Sequence, residues 1–389
     1  MFNWLNKLAG QPKYDALIVG YFGMHNTGDD ALMLASQYIA KYWLNCRHVC
    51  ITSADATYST NNQVAHCHMQ RPQRFKGQNK IQQLKAAARS KHIIFGGGSV
   101  LHRYQDIAEK RLLMRLASSS QHLALGVSIG PFNDNKAKRA CAAFLNECQF
   151  VGVRDQQSFD LGKEIAPQAN IHKTFDLAPL LTLLPEFNPE PQVRQGIYIN
   201  ICPVATNSFG QQDHVAQENL KQQWCECISQ LWQQTHEPIT LISFNGHGVF
   251  GDDKLCQEIV YRLSEYVPVN MIGYQPNPFA TLHTLSHAKL VIGMRLHACI
   301  FSFLTATPVI AVNYHEKGEA WCKEAGMASN YCFNANQLNG NDLTKQAIQI
   351  IQQGYVLPQL TRDEALTMAK QNWRLNHEIN QDISSYSFV

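Results

Sequence analysis

The run VIGMRLHACIFSF carries the residues best suited to chemistry. Its apolar first half reads as a buried strand ending at Gly293, and a helix follows from near Arg295. Arg295 and His297 thus fall at the carboxyl end of a strand and in the first turn of a helix. Such a helix start offers free backbone N–H groups and the positive end of the dipole, to which a guanidinium adds a two-pronged donor for carboxylate or phosphate. Two cations there are unfavourable unless an anion joins them. The spacing therefore predicts an anion site, with His297 able to give up a proton near neutral pH. The run PVIAVNYHEKGEAW repeats the arrangement and puts Tyr314, His315 and Lys317 at the start of the next helix. Arg154, in VGVRDQQSF, ends a strand in the first half of the chain. It either faces a ligand from that side or pairs with Asp155 and surface neighbours.

Glycine-rich loops form a second set. GYFGMHNTGDDAL follows a strand and opens a helix, and Gly20, Gly23 and Gly28 permit close backbone approach. Asn26 and Thr27 supply short polar groups beside the helix start, while Asp29 and Asp30 would repel a phosphate there. The glycine spacing matches neither a dinucleotide fingerprint nor a P-loop. A neutral, hydroxyl-bearing ligand suits this loop better than a phosphate, and a purely structural turn stays open. Gly96, Gly97 and Gly98 follow the strand HIIF and lead to Ser99 and His102. They predict either a tight strand-to-helix turn or a place where backbone amides approach a ligand. Gly130-Pro131 closes the strand GVSI as a turn.

These residues must be positioned by something, and the pattern of the chain says what. Short Val- and Ile-rich runs alternate with helical periods from one end to the other, which predicts an α/β fold of parallel βα units. The first series runs from DALIVGYF to HKTFDLA. A proline-rich, aperiodic stretch between Leu184 and Gln195 reads as a linker. A second series then runs from GIYINICP to PVIAVNY. The expected organisation is two doubly wound Rossmann-like domains, residues 1–185 and 196–360, with residues 361–389 as a long amphipathic helix returning to the first domain. Ligands in such folds sit at the carboxyl ends of the strands.

Composition sets limits. At 389 residues, 45% hydrophobic and 16% charged, the chain can bury two cores and is not a disordered polymer. A net charge of +3 gives no case for nucleic acid as a partner. From Arg71 to Lys91, however, seven basic residues occur with no acidic one, which reads as a solvated helix or a platform for an anionic substrate or anionic membrane surface. The twelve cysteines lack paired spacing, as expected of reduced thiols in cytoplasm. His66-Cys67-His68 lacks a second half, so no metal is expected. The opening MFNWLNKLAG is too polar for a signal peptide. Its Phe2, Trp4, Leu5 and Leu8 either pack on the first domain or dip into a bilayer interface.

Taken in order, GYFGMHNTGDDAL, FGGGSVL, GVSIGPF, VGVRDQQSF, DLAPLL and VIGMRLHACIFSFLTATPVIAVNYHEKG resemble the polysaccharide pyruvyl transferase family. The resemblance implies a GT-B-like fold, phosphoenolpyruvate as donor substrate, no cofactor, and a pyruvate ketal formed on a sugar of a glycan or lipid-linked glycan. Exopolysaccharide synthesis is the expected setting; with no signal peptide and no run of some 18 apolar residues, the cytoplasm is the expected location, with peripheral contact at the inner membrane face left open. Arg154, Arg295 and Lys317, with His315 beside them, would hold the donor, and His297 would be the catalytic acid with Arg295 assisting. Asn26, Thr27, Asp29, Gly97, Gly98 and Ser99 would lie on the acceptor side. Two departures, Ser128 for a glycine and Asp176-Leu177-Ala178-Pro179 for Asp-Pro-Ala, are expected not to touch the cations. A GT-B glycosyltransferase using a nucleotide sugar is the alternative.

Overall fold

The computed structural model describes residues 12–54, 64–69, 73–189, 193–203, 214–248 and 251–374. Two compact units emerge. One is drawn from residues up to Met24, from Asp29–Leu183 and from Asp363 onward; the other comprises His25–Gly28 and Leu184–Arg362.

The first unit is a seven-stranded parallel sheet in the order β3-β2-β1-β4-β5-β6-β7. Its strands are β1 (Tyr14–Val19), β2 (Val49–Ser53), β3 (Val64–His68), β4 (Ser90–Leu101), β5 (Leu123–Ile129), β6 (Phe150–Val153) and β7 (Ile171–Lys173). Helices α1 (Thr27–Tyr38), α2 (Gln78–Ala88), α3 (Tyr104–Leu116), α4 (Asn135–Glu147) and α5 (Gln156–Ile165) connect them. The central strands are mostly apolar because helices cover both faces; every residue of β5 is buried. Phe95 of β4 meets Phe144 of α4 edge-on, with ring centroids 5.0 Å apart.

The second unit repeats the order, β10-β9-β8-β11-β12-β13. Its strands are β8 (Ile197–Asn200), β9 (Ile239–Ile242), β10 (Val269–Ile272), β11 (Leu290–Gly293), β12 (Val309–Asn313) and β13 (Cys332–Asn334). Its helices are α6 (His214–Thr235), α7 (Asp253–Leu263), α8 (Pro278–Ser286), α9 (Leu296–Leu304), α10 (Glu316–Glu324) and α11 (Gly340–Gln353). Trp224 of α6 is wholly buried in this core.

The last described helix, α12 (Arg362–Arg374), returns to the first unit. Asn372, completely buried, fixes it there: its Oδ1 accepts from Gly126 N–H at 2.9 Å and from Thr174 Oγ1 at 3.0 Å, and its Nδ2 donates to Phe175 O at 3.3 Å. The amide lies so close to Gly152 that a side chain there would collide with it.

Three features differ from expectation. The strands β3 and β13 are too short and too polar to have announced themselves, and His66-Cys67-His68 is part of β3. The three glycines do not form a strand-to-helix turn; they lie inside β4, with positive φ at Gly97 and Gly98 and a register shift between Ser99 and Leu101. What approaches them is α1, since a side chain at Gly96 would strike Ser36 and one at Gly97 would press on Leu32. Residues 25–28 group with the second unit instead of the first, because Thr27 N–H donates to Phe244 O at 2.9 Å and Gly246 N–H to His25 O at 2.9 Å. The N-terminal Phe2, Trp4, Leu5 and Leu8, and the predicted helix beyond Arg374, lie outside the described residues.

Candidate active site

In the second sheet β8 is flanked by β9 and β11, so the chain reverses its direction of winding between β8 and β11. Crevices at the carboxyl ends of such a pair are where doubly wound sheets hold ligands. Asn200 ends β8 opposite Gly293, which ends β11. Asn200 Oδ1 accepts from Arg295 N–H at 2.9 Å and so ties the start of α9 to the neighbouring strand.

Arg295 occupies the N-cap of α9 with extended backbone and contributes no side-chain cap bond; the first turn of the helix holds no acidic residue. Its guanidinium turns back on Asp252, with Nη2 at 2.7 Å and Nε at 3.1 Å from the same oxygen, Oδ1. Nη1 reaches the Tyr314 hydroxyl at 3.4 Å. Asp252 is fully buried, and its other oxygen accepts from Phe244 N–H, Asn245 N–H and Asn200 Nδ2 at 3.0–3.1 Å. Burial raises the Asp252 carboxyl above its usual pKa, against the pull of Arg295 and of the donors from Phe244 and Asn200. Burial works against the charge of Arg295, but Cys202, Asp252 and Tyr314 outweigh it and its pKa rises. The arginine stays charged. Burial also holds the Tyr314 phenol up, at about 12, so it keeps its proton at neutral pH.

His297 stands in the first turn of α9, half-buried, with its ring edge-on to Phe301 at 6.2 Å between centroids. The ring lies against Gly28, where a methyl group would overlap it. This is the close approach that Gly28 permits. Asn26 Oδ1 accepts from Gly28 N–H at 3.2 Å, and Asn26 bridges Asn245. Thr27 is completely buried, and its hydroxyl has no hydrogen-bond partner among the described residues.

The next helix start is built differently. His315 is the N-cap of α10, its Nδ1 accepting from Lys317 N–H at 3.3 Å, and Glu316 and Glu319 lie in the first turn. His315 is exposed and Lys317 half-buried.

Arg154 belongs to the first unit and is buried with its own partners. Nη1 donates to Asp176 at 2.8 Å, Nε to Ser128 Oγ at 2.7 Å, and Nη2 reaches Ser99 Oγ at 3.4 Å. Of the two departures from the family pattern, Ser128 therefore does touch the cation set, contrary to expectation; in the second stretch the contact is made by Asp176, which the pattern shares. Asp29 is half-buried, and a side chain at Gly98 would come within 3.3 Å of its Oδ1.

The structure thus brings Asn26, Thr27, Arg295 and His297 into one unit, and gathers Arg154, Ser99, Asp29, Gly97 and Gly98 in the other. Sequence reasoning missed Asp252 and Asn200. Asp252 reads as an ordinary acidic helix start, yet it makes no side-chain cap bond to α7 and turns to Arg295 instead. Among the described residues no cluster of His, Cys, Asp and Glu is arranged to hold a metal ion.

Two Rossmann-ordered sheets in one chain define a protein of the GT-B fold class. UDP-GlcNAc 2-epimerase from Methanocaldococcus jannaschii is similar over 94% of this chain and 99% of that one, with a TM-score of 0.60 at 9% identity. The Neisseria meningitidis UDP-GlcNAc 2-epimerase, solved with UDP-GlcNAc, covers 94% and 99% at a TM-score of 0.56 and 11% identity. Anabaena HepE, solved with UDP and glucose, covers 96% and 100% at a TM-score of 0.55 and 13% identity. At such identities the likeness concerns the fold. A family model for polysaccharide pyruvyl transferase matches residues 26–316, about three-quarters of the chain, and the chain belongs to that family of transferases. The match includes Arg154, Arg295, His297 and His315; Lys317 lies one residue past its end.

Proposed function

We propose that the protein transfers the pyruvyl group of phosphoenolpyruvate to two hydroxyls of one sugar in a glycan or lipid-linked glycan, forming a pyruvate ketal and releasing phosphate. The observation that carries this reading is the start of α9, where Arg295 and His297 stand together at the positive end of a helix with no acidic side chain in its first turn. A small ligand bearing both carboxylate and phosphate complements such a site.

In this reading Arg295, held by Asp252, and Lys317 neutralise the donor. His297 as imidazolium protonates the terminal methylene of the enol, which becomes a methyl group and leaves C2 electrophilic. One sugar hydroxyl adds to C2 and its proton returns to the imidazole. The C2–O bond to phosphate then breaks, phosphate leaving with the electron pair beside the arginine, and the second hydroxyl closes the ring while its proton passes to phosphate. Positioned donors at the departing charge and a general acid are the catalytic elements. No cofactor is required. In this reading the loop of Asn26 and Thr27 serves the acceptor hydroxyls. Cytoplasm, where phosphoenolpyruvate is made, is the compartment this chemistry needs.

A second reading, transfer from a nucleotide sugar, is favoured by the nucleotide ligands of the solved structures that share the fold. The deciding experiment incubates the protein with phosphoenolpyruvate and a panel of galactosides, glucosides and N-acetylhexosaminides in the presence of EDTA, followed by mass spectrometry. Addition of a ketal-linked pyruvate is expected. Turnover only with a UDP-sugar, or only with added magnesium or manganese, would move the assignment to a glycosyltransferase.

A further inference from the structure

The basic run that precedes β4 takes no part in the site described above. Its described portion begins at Gln73 and leads through Arg74, Phe75 and Lys76 into α2. Gln78, Ala86 and Ala87 face the core. Leu84 and Ala88 pack against the core as well, while Ile81 and Lys85, spaced i and i+4, are exposed. Phe75 is 55% and Ile81 43% exposed. Around them Arg74, Lys76, Lys85 and Arg89 are exposed and form no ion pair among the described residues. Lys80 and Lys91 do: they meet Glu109 at 2.8 Å and Asp15 at 2.9 Å.

A helix face that merely faces water usually interleaves acids with its bases, and none occurs between Arg71 and Lys91. Nucleic acid would account for the cations but not for an exposed phenylalanine and isoleucine among them. Cations around two exposed apolar side chains, Phe75 just before the helix and Ile81 on it, match the boundary between phospholipid headgroups and acyl chains. We propose that α2 and the segment leading into it dock on an anionic lipid surface. Phe75 and Ile81 enter the headgroup boundary, while Arg74, Lys76, Lys85 and Arg89 meet lipid phosphates. No helix among the described residues is long and apolar enough to cross a membrane, so this is contact with a surface. The inference is independent of the donor chemistry, since it concerns neither Arg295 nor His297.

The test floats the full chain with phosphatidylcholine vesicles, with and without phosphatidylglycerol, over a salt series. Binding to the anionic vesicles alone is expected, weakening as salt screens the charges. Each basic side chain near such a surface is worth about fivefold in partition, so Lys76→Gln/Lys85→Gln/Arg89→Gln should lose roughly 100-fold. Phe75→Ser/Ile81→Ser should bind less tightly while keeping the salt dependence. These exposed positions leave thermal stability as a folding control. The proposal is overturned if the wild type ignores vesicle charge or fails to bind, or if the charge variant binds like the wild type. It is equally overturned if only deletion of residues 1–11 releases the protein, or if the same residues bind duplex DNA more tightly than the vesicles.

Discussion

Each unit carries an arginine just past a strand end, held by a buried aspartate: Arg154 with Asp176 in the first, Arg295 with Asp252 in the second. The helices that follow differ. At α5 the next residue, Asp155, caps the helix by accepting from Ser158 N–H at 2.7 Å, and its other oxygen accepts from Ser128 Oγ at 3.1 Å. The positive helix end is met by the protein's own carboxylate, and Arg154 is spent on Asp176 and two serines. At α9 the cap position is the arginine itself, and a histidine comes next but one. Similar pieces therefore give a helix start capped by its own carboxylate in one unit and one without an acid in the other; the latter is the start to which the proposed reading assigns the donor. What separates the two is the residue at the helix cap, an aspartate in one unit and the arginine itself in the other.

The sharpest way to break this contrast is at His297. His297→Ala should lower kcat by about 10²–10⁴-fold while phosphoenolpyruvate still binds by calorimetry. His315→Ala should keep most turnover, because His315 acts as a helix cap. Near-normal turnover in the first variant and collapse in the second would transfer the acid role to His315.

Removing the aspartates compares the two arginines directly. Asp252→Ala and Asp176→Ala each leave a buried guanidinium without its carboxylate, and each should destabilise its unit by about 3–5 kcal/mol in chemical denaturation. The milder Asp252→Asn and Asp176→Asn separate positioning from stability. Only the former should raise the donor KM, through a misdirected Arg295. A donor KM that moves with Asp176→Asn and not with Asp252→Asn would transfer the donor site to the first unit.

Acid should weaken the first unit through a histidine unrelated to the site. Burial, then the neighbouring His92, pushes His122 down to about 4, and its Nδ1 accepts from Ile93 N–H at 3.2 Å. Its folded pKa lies below the unfolded value of 6.5, so the unfolded chain binds the extra proton first. The associated stability is fully present above pH 6.5 and is lost as pH falls through about 4, up to about 3 kcal/mol. His122→Gln should flatten that slope in denaturation curves collected across this range. An unchanged slope would show that other groups carry it.

The smallest effect is expected at Gly28. Gly28→Ala pushes a methyl into the space of the His297 ring, and overpacking of about 1–3 kcal/mol translates to roughly 10- to 100-fold in kcat if the ring is displaced. Donor binding by calorimetry should change less than kcat. A fully active variant would show that the ring can move aside without consequence.

Much of this architecture was legible in one dimension. Parallel strands buried on both faces must be continuously apolar, so LALGVSI, VIGM and PVIAVN declared themselves, and with them the helix starts that carry Arg295, His297, His315 and Lys317. The helix returning to the first unit followed from an amphipathic segment with no strand after it. Short edge strands such as Val64–His68 and Cys332–Asn334 were not legible, because three to five polar or mixed residues become a strand only when a neighbour supplies the hydrogen bonds. The glycines of β4 showed that something comes close, and only packing revealed that it is α1.

The sequence by itself determined the fold class and the placement of cations at helix starts, since both depend on local periodicity and on which residue follows a strand. Tertiary structure alone decided how those cations are satisfied. Asp252 lies 43 residues before Arg295 and Asp176 22 after Arg154, and neither spacing has any local period. The carboxylates that hold both guanidinium groups come from distant strands and loops, and those pairings form only when each sheet assembles.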